Sequence, residues 1–156
     1  MKKRNILTLV LSLAIVYATA FLGSLFTTSA VKTEWYASIR PAITPPNWIF
    51  PIVWNVLFFL IALSLYFAWT NSKNKRQKTK VAIVFGINLI LNALWSYLFF
   101  GLQNPLAGFV DILLIDISII VTMLAVYKIS KKSAWLLAPY LLWVSFASII
   151  NYLAAF

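Results

Sequence analysis

Long apolar runs separated by short polar connections dominate the chain. Five runs stand out, at about 6–26, 48–70, 81–101, 106–127 and 134–155, and none contains Lys or Arg. A helix needs about 20 apolar residues to cross the hydrocarbon core of a bilayer, so each run predicts one transmembrane span. Pro105 opens its run, and Pro51 and Pro139 lie near the starts of theirs, where a missing N–H costs little. Continuous helices are expected. The predicted fold is all-α, a single membrane domain over residues 1–156 built from five transmembrane helices.

Composition agrees with a bilayer environment. Apolar residues make up 63% of the chain and charged residues 10%, against about 25% charged in soluble domains. Cysteine and histidine are both absent, and the only carboxylates are Glu34, Asp111 and Asp116. Disulfides, thiol chemistry and the commonest metal ligand and general base are thereby excluded, so no metal site is expected.

The net charge of +10 is clustered between the apolar runs, a distribution that marks topology rather than nucleic-acid binding. Anionic lipid head groups are the expected partners. Lys2, Lys3 and Arg4 precede the first run; Lys73, Lys75, Arg76, Lys78 and Lys80 lie between the second and third; Lys128, Lys131 and Lys132 follow the fourth. These eleven fall on one side, against Lys32 and Arg40 on the other. Cytoplasmic loops retain Lys and Arg, which places the N-terminus inside and the C-terminus outside. A cleaved signal peptide is the competing reading, with Ala18, Thr19 and Ala20 as the cleavage pattern. Apolar residues continue through Phe21, Leu22, Leu25 and Phe26, which favours a span.

The connection from Thr27 to Asn47 is long among short ones, and loops of this length are usually functional or disordered. Trp35, Tyr36, Ile39 and Ile43 mixed with Pro41, Pro45 and Pro46 are not the composition of a disordered segment. A lid over one mouth of the bundle is expected. Trp48, beside the second span, equally suits an interfacial aromatic belt.

Polar residues inside the spans are the next signal. Asn88, Asn92 and Ser96 share one face of the third helix, with Trp95 beside it. They serve either as interhelical hydrogen-bonding groups or as the polar edge of a cavity. Asp111 lies near the start of the fourth span, where the helix dipole favours a carboxylate. Asp116 lies roughly 15 Å deep by helix rise; an intramembrane carboxylate is a functional candidate, and the alternatives are a protonated carboxyl or a hydrogen bond to Asn or Tyr on a neighbouring helix. Tyr140, Trp143, Ala147 and Asn151 form one stripe of the last helix, and Trp54 and Phe58 share a face of the second. By spacing alone, such aromatic stripes read first as packing.

Taken together, these segments resemble the tryptophan-rich sensory protein family, bacterial relatives of the mitochondrial translocator protein, or peripheral benzodiazepine receptor. The resemblance runs through Trp35, Tyr36, Arg40, Pro41, Pro45 and Pro46 in the first loop and Trp54 in the second helix. It continues in Leu91, Asn92, Trp95, Ser96, Phe99, Phe100 and Gly101, then Asp111, and finally Pro139, Tyr140, Trp143, Phe146, Ala147 and Asn151. Arg40 stands in place of the family's usual Lys, and Ile43 where Trp is frequent. Asp116 is outside the family pattern. No basic residue follows the last span as far as Phe156, so the cholesterol motif of mammalian relatives is not matched.

The resemblance implies a bacterial cytoplasmic membrane protein, usually a homodimer, whose cavity binds porphyrins such as protoporphyrin and haem, and synthetic translocator-protein ligands. The implied ligand-binding residues are Trp35, Tyr36, Arg40, Pro45, Pro46, Trp54, Asn92, Trp95, Tyr140, Trp143, Phe146, Ala147 and Asn151. Their aromatic rings suit the macrocycle, while Arg40 or Lys32 suits its propionates. With no His or Cys, recognition is expected to fall on the ring rather than the iron. No cofactor is required; porphyrin is ligand or substrate. Ala82 and Gly86, a small-xxx-small pair, are the candidate dimer contact.

Three functions follow. The first is a binding protein that senses, sequesters or transports tetrapyrroles. The second is a light- and oxygen-dependent porphyrin-degrading enzyme using Trp54 and Trp143. The third is a structural membrane protein whose aromatic residues only pack helices.

Overall fold

The computed structural model describes residues 3–156; Lys2, counted in the first basic cluster, lies outside them. The elements are α1 (Lys3–Ala30), α2 (Glu34–Ile39), α3 (Ile49–Asn71), α4 (Lys75–Ser96) with a π turn (Tyr97–Gly101), α5 (Pro105–Tyr127), α6 (Lys131–Leu136) and α7 (Ala138–Ala155). Among the described residues, five segments are long and apolar enough to cross a membrane: α1, α3, α4 with its π turn, α5, and α6 with α7.

Local capping sets several boundaries outside the apolar runs. The Asn74 side chain accepts from the Gln77 N–H at 2.9 Å, and Gln77 Oε1 accepts from the Lys73 N–H at 2.7 Å. This reciprocal cap starts α4 at Lys75, so the basic cluster forms its first turns. Ser130 accepts from the Ser133 N–H at 3.2 Å and likewise draws Lys131 and Lys132 into α6. Asn104 caps α5, with Pro105 in its first turn. Gln103, at φ 49°, turns the chain between the π turn and α5. α1 runs unbroken through Ala18, Thr19 and Ala20 to Ala30.

Two spans depart from the expected continuous helix. The third ends in a π turn, whose extra residue buries the consecutive rings of Phe99 and Phe100 together, at 4% and 7% exposure. The last is interrupted at Leu137, two residues before Pro139, because proline removes a backbone donor and crowds the preceding turn.

The core joins Val16 of α1, Ile61 and Leu65 of α3, Val81 and Phe85 of α4, Ile115 and Ile119 of α5, and Tyr140 and Val144 of α7. Its periphery remains apolar: Ile90, Leu124 and Leu142 are largely exposed, as side chains facing hydrocarbon are.

Polar groups inside the spans find partners across helices. Ser64 and Ser133 exchange hydrogen bonds with each other's carbonyls at 2.8 Å, fastening α3 to α6. Asn88 donates to Ser118 Oγ at 2.7 Å. Asp116 accepts from Ser145 at 3.1 Å and Ser148 at 2.9 Å, so two serines, rather than the expected Asn or Tyr, join α7 to α5 through it. Asp111 lies in the second turn of α5, deeper than the dipole argument requires. It is buried, and its Oδ2 has no hydrogen-bond partner among the described residues.

Candidate functional site

A cavity of about 620 Å³ opens between α1, α3, α4, α5 and α7, beneath the first loop. Its aromatic walls come from Phe50, Trp54 and Phe58 of α3, Trp95 of α4, Phe99 and Phe100 of the π turn, and Trp143 of α7. Trp143 meets Phe50 edge-on, with ring centroids 5.8 Å apart. Elsewhere on the wall Trp95 stacks on Phe99 at 5.2 Å.

Hydrogen bonds fix the polar part of the wall. Asn92 donates to the Tyr140 hydroxyl at 2.9 Å, and Trp95 Nε1 donates to Asn151 Oδ1 at 3.0 Å. Asn151 in turn donates to the Ala147 carbonyl at 2.8 Å. The Asn92 face of α4 therefore both joins helices and edges the cavity. The two readings of these residues are the same arrangement seen from two sides.

Over the mouth lies α2, begun by Thr33, whose hydroxyl accepts from the Tyr36 N–H at 3.3 Å. Trp35 and Tyr36 rest on the π turn, with centroids 5.9 Å from Phe99 and 5.6 Å from Phe100. Arg40 donates to the carbonyls of Pro45 at 2.6 Å and Thr44 at 3.4 Å, closing the proline-rich turn on itself. Burial pushes the Tyr36 phenol above its ordinary pKa, partly offset by the Arg40 charge; it is a neutral hydroxyl at physiological pH. Lys32 and Arg40 are the cationic groups on the lining.

A model of the TspO/MBR family matches residues 12–156. The chain belongs to the TspO/MBR family. Tryptophan-rich protein TspO of Archaeoglobus fulgidus is 50% identical over 149 residues, 95% of each chain. The protein of the same name from Chlorobaculum tepidum is 42% identical over 149 residues, 96% of this chain and 94% of its own. Human translocator protein is 32% identical over 134 residues, 85% of this chain and 79% of its own.

The thirteen ligand-binding residues implied by the resemblance separate into two groups. Tyr36, Arg40, Trp54, Asn92, Trp95, Trp143, Ala147 and Asn151 line the cavity. Trp35, Pro45, Pro46, Tyr140 and Phe146 do not, although all were expected to contact ligand. Trp35 is held against Phe99, and Pro45 is engaged through its carbonyl by Arg40. Tyr140 is wholly buried behind Trp54, with centroids 6.2 Å apart. Phe146 lies against Trp143 at 5.8 Å. Pro46 accepts from the Ile49 N–H at 3.0 Å; the other four brace lining residues from outside the cavity surface. Ile43 and the highly exposed Trp48 also lie outside the lining.

Sequence reasoning passed over the contribution of α1. Ala20, Gly23, Ser24, Thr27 and Thr28 line the cavity, and their helical spacing as small and hydroxyl residues was the available signal. A Cβ on Gly23 would stand 3.0 Å from Ser96 Oγ, so glycine lets α1 and α4 approach closely there.

Proposed function

We propose that this cavity binds porphyrins and related tetrapyrroles in the bacterial cytoplasmic membrane, for sensing, sequestration or transport. The observation that carries the reading is a cavity of about 620 Å³ walled by Trp54, Trp95, Trp143, Phe99 and Phe100, with Lys32 and Arg40 on its lining. Ligand pockets for small molecules span about 300–1,000 Å³, mostly apolar with a few placed polar groups. Wide rings suit a flat conjugated macrocycle, and the cations suit its carboxylates. Trp143 Nε1 is buried without a partner among the described residues, a donor available to an acceptor on the ligand. Synthetic translocator-protein ligands suit the same apolar walls.

The placement of Trp54 and Trp143 on one cavity also favours a second reading, oxidative breakdown of a bound porphyrin under light and oxygen. Orientation is assigned by charge: Lys132 lies over the Phe67 ring, with Nζ 4.1 Å from its centroid, which brings the basic start of α6 to the α3 C-terminal end, beside the basic start of α4. We place that end in the cytoplasm and the lid outside. A second copy is assigned to the face carrying Ala82 and Gly86. Ala82 is exposed, and a Cβ on Gly86 would meet nothing within 4 Å, leaving room for a close-packed helix.

A protoporphyrin titration of the detergent-purified chain, read by tryptophan quenching, tests the binding reading. Saturable quenching is expected, weakened roughly three- to tenfold in Trp54→Phe and Trp143→Phe with helix content unchanged. Linear quenching identical in all three proteins would return these rings to packing alone. Illumination of the saturated complex tests degradation: new absorbing products are expected from wild type and not from Trp143→Phe.

A further inference from the structure

Away from the cavity, a second cleft of about 490 Å³ lies where α3 ends and α4 begins, lined by Trp69, Lys75, Lys78, Thr79, Ala82 and Ile83. Lys78 Nζ lies 5.7 Å from the centroid of the Trp69 ring. Lys75, Lys78 and Thr79 are exposed, and no acidic residue occupies the first turn of α4. All three carboxylates of the chain lie elsewhere: Glu34 in the lid, Asp111 and Asp116 inside α5.

Cations at a helix N-terminus oppose its dipole, and an anion there would relieve both the dipole and their mutual repulsion. The rest of the cleft is apolar. Ile83 lies two turns below Lys75, about 12 Å along the helix axis, and is 54% exposed. The cleft therefore runs from a cationic rim, with a tryptophan at interface depth, to an apolar floor at hydrocarbon depth. A free phosphate uses only the rim, whereas a phospholipid uses both.

We propose that this cleft is a binding site for an anionic phospholipid of the cytoplasmic leaflet. Lys75, Lys78 and the Thr79 hydroxyl hold the phosphate, and an acyl chain lies along Ala82 and Ile83 below Trp69. Ala82 is also one end of the face assigned to the second copy, so the lipid borders that contact. The site is independent of the porphyrin cavity.

The test is native mass spectrometry of the detergent-purified full chain titrated with dioleoylphosphatidylglycerol, counting lipid per chain in monomer and dimer alike. Wild type is expected to retain one lipid preferentially over dioleoylphosphatidylcholine. Lys75→Gln/Lys78→Gln is expected to lose that preference, on the order of tenfold, and Lys75→Arg/Lys78→Arg to keep it. Lys128→Gln/Lys131→Gln, with the same change of net charge at the same end, is expected to stay within about twofold of wild type. Trp69→Leu, which leaves both lysines in place, provides a second reading of the cleft and is expected to weaken retention several-fold. Equal loss in the two glutamine variants would overturn the proposal in favour of diffuse surface attraction. Displacement of the lipid by millimolar glycerol phosphate would overturn it in favour of a soluble phosphate. Unchanged retention in both Lys75→Gln/Lys78→Gln and Trp69→Leu would place the lipid elsewhere.

Discussion

Tyr140→Ala is expected to destabilise the bundle by about 3–5 kcal/mol, the range for removing a large buried aromatic side chain. Tyr140 is 0% exposed and belongs to the main core. Its ring supports Trp54 from behind, and its hydroxyl accepts the Asn92 hydrogen bond. Truncation therefore opens a void and strands a buried amide. Tyr140→Phe keeps the ring and is expected to cost about 1 kcal/mol, near the usual worth of a hydrogen bond between membrane helices. Unfolding in mixed micelles with increasing sodium dodecyl sulfate measures both. Equal losses would show that the Asn92 contact, not packing, dominates. Because Tyr140 lies behind the cavity surface, Tyr140→Phe is expected to leave porphyrin affinity within about twofold, well below the effect of losing a stacking ring.

The second large effect is expected at Gly108. A Cβ there would lie 2.6 Å from Cδ2 and 2.9 Å from Cβ of Phe99, closer than nonbonded carbons tolerate. Phe99 cannot easily yield, since Trp95, Phe100 and Trp35 surround it at centroid distances of 5.2, 4.9 and 5.9 Å. Gly108→Ala should therefore cost about 1–3 kcal/mol, as overpacking does, and Gly108→Val more. The displaced ring should also loosen the lid, seen as faster proteolysis between Val31 and Trp48. Gly86→Ala is the matched control: with nothing within 4 Å of the added Cβ, the folded monomer should keep its stability. If Gly108→Ala unfolds at the same detergent fraction as wild type, the π turn is more pliable than its contacts indicate.

The spans were legible because hydrocarbon imposes a coarse rule: a run must be long, apolar and free of cations. The same rule says little about where a helix begins. Gln77 and Ser130 extend α4 and α6 into basic segments through side-chain contacts that hydropathy does not register. The π turn also escaped prediction, since Tyr97–Gly101 is as apolar as an ordinary helix end. At the site, the shared face of Asn88, Asn92 and Ser96 was readable from spacing. Their individual partners were not, because they depend on the rotation and depth of α5 and α7. Asn88 reaches Ser118 and Asn92 reaches Tyr140. Motif resemblance grouped residues that line the cavity, such as Trp54 and Trp143, with others that stand behind it, such as Tyr140 and Phe146. Asp116, conspicuous by depth, is accounted for by two serines on α7 that no local pattern linked to it.

Phe99 and Phe100 carry the lid through Trp35 and Tyr36 on one side and line the cavity on the other. A molecule that immobilises these rings from within removes part of the entropy the loop loses on settling, and a settled loop does the same for the molecule. Occupancy and closure are then thermodynamically linked, each strengthening the other by one common factor. A binder that grips the loop from outside would, by the same linkage, tighten whatever the interior holds without touching it.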